Sequence, residues 1–150
     1  MINGKKVLGV TLARGGSKGI HKKNIHEING RPLIDYTIQE CLKSKYIDDY
    51  IISTDCTEIA KVALDCGANV PFLRPKNLSD DKASSAAALV HAVNWASQRG
   101  DKYEIVVEVM ATNPLKRSIH IDKCIELMEE KKLPYCAAVQ DLYDHHPARV

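Results

Sequence analysis

Arg14, Lys18, Lys22 and Lys23 stand within one short stretch, interleaved with Gly15, Gly16 and Gly19. The stretch follows the apolar run Val7-Leu8-Gly9-Val10, where a buried strand would empty into a loop. Glycine admits φ > 0 and lets the main chain approach a ligand closely, so that successive N–H groups converge on one anion. Arginine and lysine add charge-assisted donors suited to phosphate oxygens. The chemistry indicated is a polyphosphate cradle, with a solvated Gly/Lys turn as the plainer alternative. No Gly-Lys-Ser/Thr completes a G-x-x-x-x-G-K-[ST] pattern, and the adjacent Gly15 and Gly16 do not fit G-x-G-x-x-G.

Such a loop needs a scaffold, and the apolar patterning supplies one. Strands are predicted over residues 5–12, 50–53, 69–72, 104–110 and 135–139, and helices over 33–44, 57–66, 84–98 and 118–131. The second helix opens on the cap candidates Ser53-Thr54-Asp55 and stops at Gly67, and Ser118 is a cap candidate for the last. Strand–helix alternation predicts an α/β fold, a mostly parallel sheet with helices on both faces. Right-handed crossovers make it a Rossmann-like three-layer sandwich. Ligands in such sheets bind beyond the carboxyl ends of the strands. That rule brings residues 14–24, 53–55 and 111–116 to one rim.

Composition narrows the function classes. A chain of 150 residues fits a single domain, 1–150, with 45% apolar and 27% charged residues, ordinary for a soluble protein. The net charge of +2 argues against nucleic acid as a partner. No run approaches the ~20 apolar residues of a membrane span, and the N-terminus lacks a signal-peptide pattern. The five cysteines are odd in number and scattered, with no C-x-x-C, which suits reduced thiols and a cytoplasmic location.

Other polar residues have structural readings. Asp55 reads as a helix cap and Asp80-Asp81 as solvation of the long polar loop 74–82. His91 reads as a satisfied helix residue, and Trp95, Cys41 and Cys124 as packing residues. His145-His146, near Asp141 and Asp144, alternate across an extended segment and make a poor pair for one metal ion.

Leu12-Ala13-Arg14-Gly15-Gly16-Ser17-Lys18-Gly19-Ile20 with Lys23-Asn24 resembles the nucleotide-binding signature of the acylneuraminate cytidylyltransferases, the CMP-sialate synthetase group. The likeness continues through Asn29-Gly30-Arg31-Pro32-Leu33-Ile34, Ile52-Ser53-Thr54-Asp55, Phe72-Leu73-Arg74-Pro75 and the stretch from Leu78 to Ser85. It closes with Asn113-Pro114-Leu115 and His145-His146-Pro147. These landmarks span essentially the whole chain in the family's order.

The resemblance implies the nucleotide-diphospho-sugar transferase type of fold and transfer of CMP from CTP to a 2-keto sugar acid, with Mg²⁺ and release of pyrophosphate. It implies that Leu12, Ala13, Gly15 and Gly16 bind the nucleotide and that Arg14, Ser17 and Lys18 hold the triphosphate. Lys23 would stabilise charge on the α-phosphate, while Asn24, Arg74, Ala83, Ser84 and Ser85 read cytosine and ribose. It also implies a homodimer, with residues 145–147 near an interface or the sugar site. Two departures stand out. Members commonly carry Gln-Pro-Thr-Ser-Pro-Leu-Arg where this chain has Met110-Ala111-Thr112-Asn113-Pro114-Leu115-Lys116. Met110 offers no strong hydrogen bond, which predicts an acceptor other than N-acetylneuraminate, unless Met110 fills the core while Thr112 and Asn113 make the polar contact. The family's metal-binding aspartates also lie in a carboxyl part that this chain does not reach, so the expectation is a domain lacking that part, with metal ligands unknown. A sugar-phosphate nucleotidyltransferase using another base and a catalytically inactive nucleotide-binding domain are the alternatives.

Overall fold

A computed structural model describes residues 1–16, 19–20, 22–80 and 83–139. Its centre is β1 (Val7–Leu12), whose first five residues are buried, as an unbroken apolar run covered on both faces must be. Strand β4 (Asp49–Ser53) pairs parallel on one side of β1, with Leu8 opposite Asp49 and Leu12 opposite Ser53. Strand β5 (Ile105–Glu108) pairs parallel on the other side, with Val10 opposite Glu108. The sheet order is β4-β1-β5. Between β1 and β4 lies a two-stranded hairpin, β2 (Glu27–Ile28) and β3 (Arg31–Pro32). Its turn residues Asn29 and Gly30 both have positive φ, the Asn-Gly turn whose twist matches a hairpin.

Strand alternation divides the core. On one face Val7, Tyr50, Ile52 and Ile105 pack against α1 (Leu33–Leu42), α2 (Thr57–Asp65) and α4 (Ser118–Lys131), through Ile34, Ile38, Ile59, Ala63, Ile121 and Ile125. On the other, Leu8, Val10 and Ile51 meet Ala92 and Ala96 of α3 (Ser85–Gln98). Small alanines let α3 lie close to the sheet. The result is the expected three-layer α/β arrangement with a parallel central sheet.

Two predicted strands are absent as strands. Residues 69–72 make only one isolated bridge beside β4, Ile51 to Asn69, with a second just beyond them, Thr54 to Leu73, because Pro71 has no N–H for a ladder. Residues 135–139 pair with no strand among the described residues. Tyr135 is 80% and Val139 90% exposed, and Cys136 alone of the stretch is half-buried, so little burial offsets the entropy of ordering them. Caps also differ. The second helix starts after Cys56, without a side-chain cap. Ser118 is the first helical residue of α4, not its cap, and its N–H donates to Glu40 Oε2 at 2.7 Å. Gly67 does close α2, with φ +90°.

Candidate functional site

Beyond the carboxyl ends of β1 and β5 opens a cleft of about 580 Å³. Its first wall is the chain leaving β1. Ala13 N–H donates to Ser53 O at 3.0 Å, holding the last residue before the turn on the sheet. Gly15 N–H then donates to Asp55 Oδ1 at 2.9 Å. A Cβ on Gly15 would stand 2.9 Å from Cys56 Cβ, so only glycine lets the loop lie against the start of α2. Asn24 is buried, and its Nδ2 donates to Arg14 O at 3.1 Å, tying the short helical turn Lys23–Ile25 back to the loop. Leu12, Arg14, Lys23 and Asn24 line the cleft. Ala13, Gly15 and Gly16 do not; they lie behind that wall or shape it. Lys22 also leaves the expected cradle, because its ammonium pairs with Glu58 on α2. Ser17 and Lys18 lie outside the described residues, as do Asp81 and residues 140–150.

The second wall runs from Arg74 to the start of α3. Arg74 is buried, its Nε donating to Ser79 Oγ at 2.9 Å and its Nη1 to Ser53 O at 3.2 Å. Burial lowers its pKa against the opposing pull of Asp55, with Arg14 lowering it further. Arg74 is therefore a structural member of the wall, tying its two ends together. Asp80 also lines the cleft and its Oδ1 accepts from Ala83 N–H at 2.7 Å, so it shapes the site instead of merely solvating the loop. Ala83, Ser84 and Ser85 line it too. Ser84 is the N-cap of α3, its hydroxyl accepting from Ala87 N–H at 3.1 Å. The positive end of a 14-residue helix thus faces the cleft.

The third wall is the exit from β5. Glu108, Met110, Ala111 and Thr112 line the cleft here. Met110 is 64% exposed, which removes the core-filling reading of that residue. Residues 53–55, expected on the rim, sit one layer back: Ser53 holds Arg74 and Asp55 holds Gly15, so Asp55 is no helix cap.

Residues 8–147 match the sequence model of the cytidylyltransferases. The chain belongs to the cytidylyltransferase family. It is 46% identical over 110 residues to a pseudaminic acid cytidylyltransferase of Campylobacter jejuni (strain 81-176), covering 73% of this chain and 47% of that protein. It is 32% identical over 131 residues to the N-acylneuraminate cytidylyltransferase of Escherichia coli O18:K1:H7, covering 87% of this chain and 30% of the relative. Its fold matches a CMP:2-keto-3-deoxy-manno-octonic acid synthetase complexed with CTP, at a TM-score of 0.71 and 18% identity, over 85% of this chain and 48% of that one. The chain spans half or less of the length of these proteins.

Sequence alone does not place Asp80 or Glu108 in the cleft, although both line it. Glu108 carries no motif signal and joins the site only because β5 ends there. Among the described residues no three His, Cys, Asp or Glu side chains gather as a metal cage. Among the described residues Asp80 and Glu108 are the carboxylates lining the cleft. Mg²⁺ commonly takes one or two carboxylates and completes its shell with water and substrate phosphates, so it does not require such a cage. The five cysteines are free thiols. Burial pushes the Cys41 thiol up to about 12, a packing residue and not a nucleophile. His91 differs from expectation: its Nδ1 is buried without a hydrogen-bond partner, and its ring meets Phe72 edge-on at 4.7 Å. Trp95 packs beside Phe72 at 5.6 Å with Arg99 over its ring at 5.1 Å. Among the described residues no helix is long and apolar enough to cross a membrane.

Proposed function

We propose that the cleft binds CTP and an acidic 2-keto sugar and transfers CMP to the sugar, releasing pyrophosphate. The observation that carries this reading is the convergence of Arg14, Lys23 and the positive end of α3 on one cleft at the carboxyl edge of the parallel sheet. Attack of a sugar hydroxyl on the α-phosphorus forms the new P–O bond as the bond to pyrophosphate breaks. Such a step needs cations and N–H donors where charge builds on phosphate oxygens, more than it needs a covalent nucleophile. Lys23 and Arg14 serve there, joined by Lys18 and Ser17, while Asp55 and Asn24 hold the loop from behind. Mg²⁺, when bound, would neutralise phosphate charge, and Asp80 and Glu108 line the same cleft.

Base reading falls to Arg74 and the Ala83-Ser84-Ser85 turn. The acceptor for the cytosine 4-amino group is a backbone or hydroxyl oxygen of Ala83–Ser85, where Ser84 already holds the helix start through Ala87 and Ala88. UTP presents a carbonyl there and leaves that acceptor unpaired, a large penalty in a desolvated site. The exposed Met110 and the likeness to a pseudaminic acid cytidylyltransferase support a pseudaminic-acid-like acceptor over N-acetylneuraminate. The reading includes a homodimer and a cytoplasmic setting, the latter supported by five unpaired thiols.

Calorimetry with CTP and UTP, paired with pyrophosphate release from CTP and a panel of 2-keto sugar acids, tests it. CTP preference with turnover of a deoxy, di-N-acyl sugar is expected. Arg14→Ala and Lys18→Ala should each lower CTP affinity by about 1.5–3 kcal/mol, the scale of hydrogen bonds to charged groups. Equal binding of UTP refutes the base assignment, and CTP binding without turnover leaves a binding module only.

A further inference from the structure

Loop 110–116 carries the third wall of the cleft, and one ammonium group grips it from behind. Lys116 Nζ donates to Met110 O at 2.7 Å, to Asn113 O at 2.5 Å and to Thr37 Oγ1 at 2.6 Å. Thr37 is fully buried on α1, and its hydroxyl lies 3.4 Å from both Met110 O and Ala111 O. An ammonium has three donors and no acceptor, and here each donor meets one oxygen. Lys116 does not line the cleft; it faces a separate groove with Tyr36, Glu40 and Arg117. The side chain therefore reaches the cleft only through the main chain it holds.

We propose that Lys116, together with Thr37, is a positioning residue that sets the acceptor-side wall Met110-Ala111-Thr112 and so governs fit of the sugar without touching it. This rests on the reading of the cleft as a nucleotide-plus-sugar site. The alternative use of a lysine here, as a cation for an acidic substrate, does not match the geometry, because every donor is already taken by the protein. Burial among neutral oxygens pushes Lys116 down to about 8, with Cys41 and Glu40 opposing. Loss of the proton does not break the cluster. The amine can donate to the two carbonyls and accept from the Thr37 hydroxyl, so the grip persists in either protonation state.

Lys116→Met and Thr37→Val, compared with Thr37→Ser, test the proposal by hydrogen exchange and by kinetics. Faster amide exchange by at least tenfold across residues 110–116 is expected in the first two, with exchange over residues 11–16 unchanged. Thr37→Ser keeps the hydroxyl and should behave as wild type. In turnover assays the acceptor KM should rise about tenfold or more with CTP affinity within twofold of wild type. Unchanged exchange in Lys116→Met, or an equal loss of CTP and acceptor binding, overturns it. Should Lys116→Met fail to fold, Thr37→Val against Thr37→Ser decides by the same readings. Should the wild type bind no CTP, the functional reading fails while the exchange result still decides whether Lys116 holds the wall.

Discussion

Asp55 is the residue whose replacement separates loop positioning from charge. Its Oδ1 accepts the Gly15 N–H at 2.9 Å, just past Arg14 in the loop that leaves β1. A hydrogen bond to a charged acceptor contributes about 1.5–3 kcal/mol, and partial exposure of Asp55 places this one near the lower end. Asp55→Ala frees that N–H, and the loop then spends only a fraction of its time in the binding geometry. Apparent affinity falls by that fraction, so ~1.5 kcal/mol becomes about a tenfold rise in the dissociation constant for CTP. A second effect has the opposite sign. Removing a negative charge beside a polyanion site favours binding, although at ~0.15 M salt the Debye length of about 8 Å screens much of it. Asp55→Asn distinguishes the two, since its side-chain oxygen still accepts from Gly15 while the charge is gone. The expected order is Asn equal to or slightly tighter than wild type, and Ala about tenfold weaker, by calorimetry at fixed salt. An alanine variant within twofold of wild type would refute the claim that Asp55 holds the loop. An asparagine variant as weak as alanine would show that charge, not the hydrogen bond, is what matters.

Gly15→Ala should weaken CTP binding at least as much, because its Cβ would meet Cys56 Cβ at 2.9 Å; pairing it with Cys56→Gly, which opens that space, should recover part of the loss in the same titration. Arg74→Met strands the oxygens of Ser53 and Ser79, and a cost of about 2 kcal/mol should lower Tm by roughly 4–8 °C in a melt followed by circular dichroism. Met110→Gln should shift acceptor preference toward N-acetylneuraminate, read as a change in the ratio of kcat/KM values, since Met110 stands exposed on the cleft wall; an unchanged ratio removes Met110 from substrate choice. For Glu40, burial pushes the carboxyl up, but the Ser118 N–H and Lys43 hold it below the ordinary 4.5. A carboxyl with a depressed folded value stabilises above its ordinary value, and that contribution is lost as pH falls through the folded one. Melts from pH 6 to pH 3 should therefore steepen below about 4.5, and less so in Glu40→Gln.

What the sequence makes legible here is what depends on local periodicity and on glycine. The buried run of β1 and the spacing of Ile34, Ile38 and Cys41 could only serve a covered sheet and an amphipathic helix. The glycines after Leu12 mark a loop forced close to its neighbours, and Gly15 against Cys56 is that closeness in detail. Residues whose partners are remote in sequence were less legible. Asp55 looks like a cap because caps are local, yet its partner is Gly15, 40 residues earlier. Lys116 closes the Met110–Lys116 stretch that departs from the family's pattern, yet nothing local in it shows that its side chain reaches Thr37, 79 positions away. Glu108 enters the cleft only because β5 ends there, and Asp80 because the loop before α3 folds over the same edge. These are the groups that the parallel topology assembles. A local motif can therefore name the ligand class, while the walls that choose among ligands are set by long-range contacts. On that reasoning, and on the proposed reading of the cleft, sugar preference should follow changes at Met110, Thr37 and Lys116 more closely than changes in the glycine loop itself.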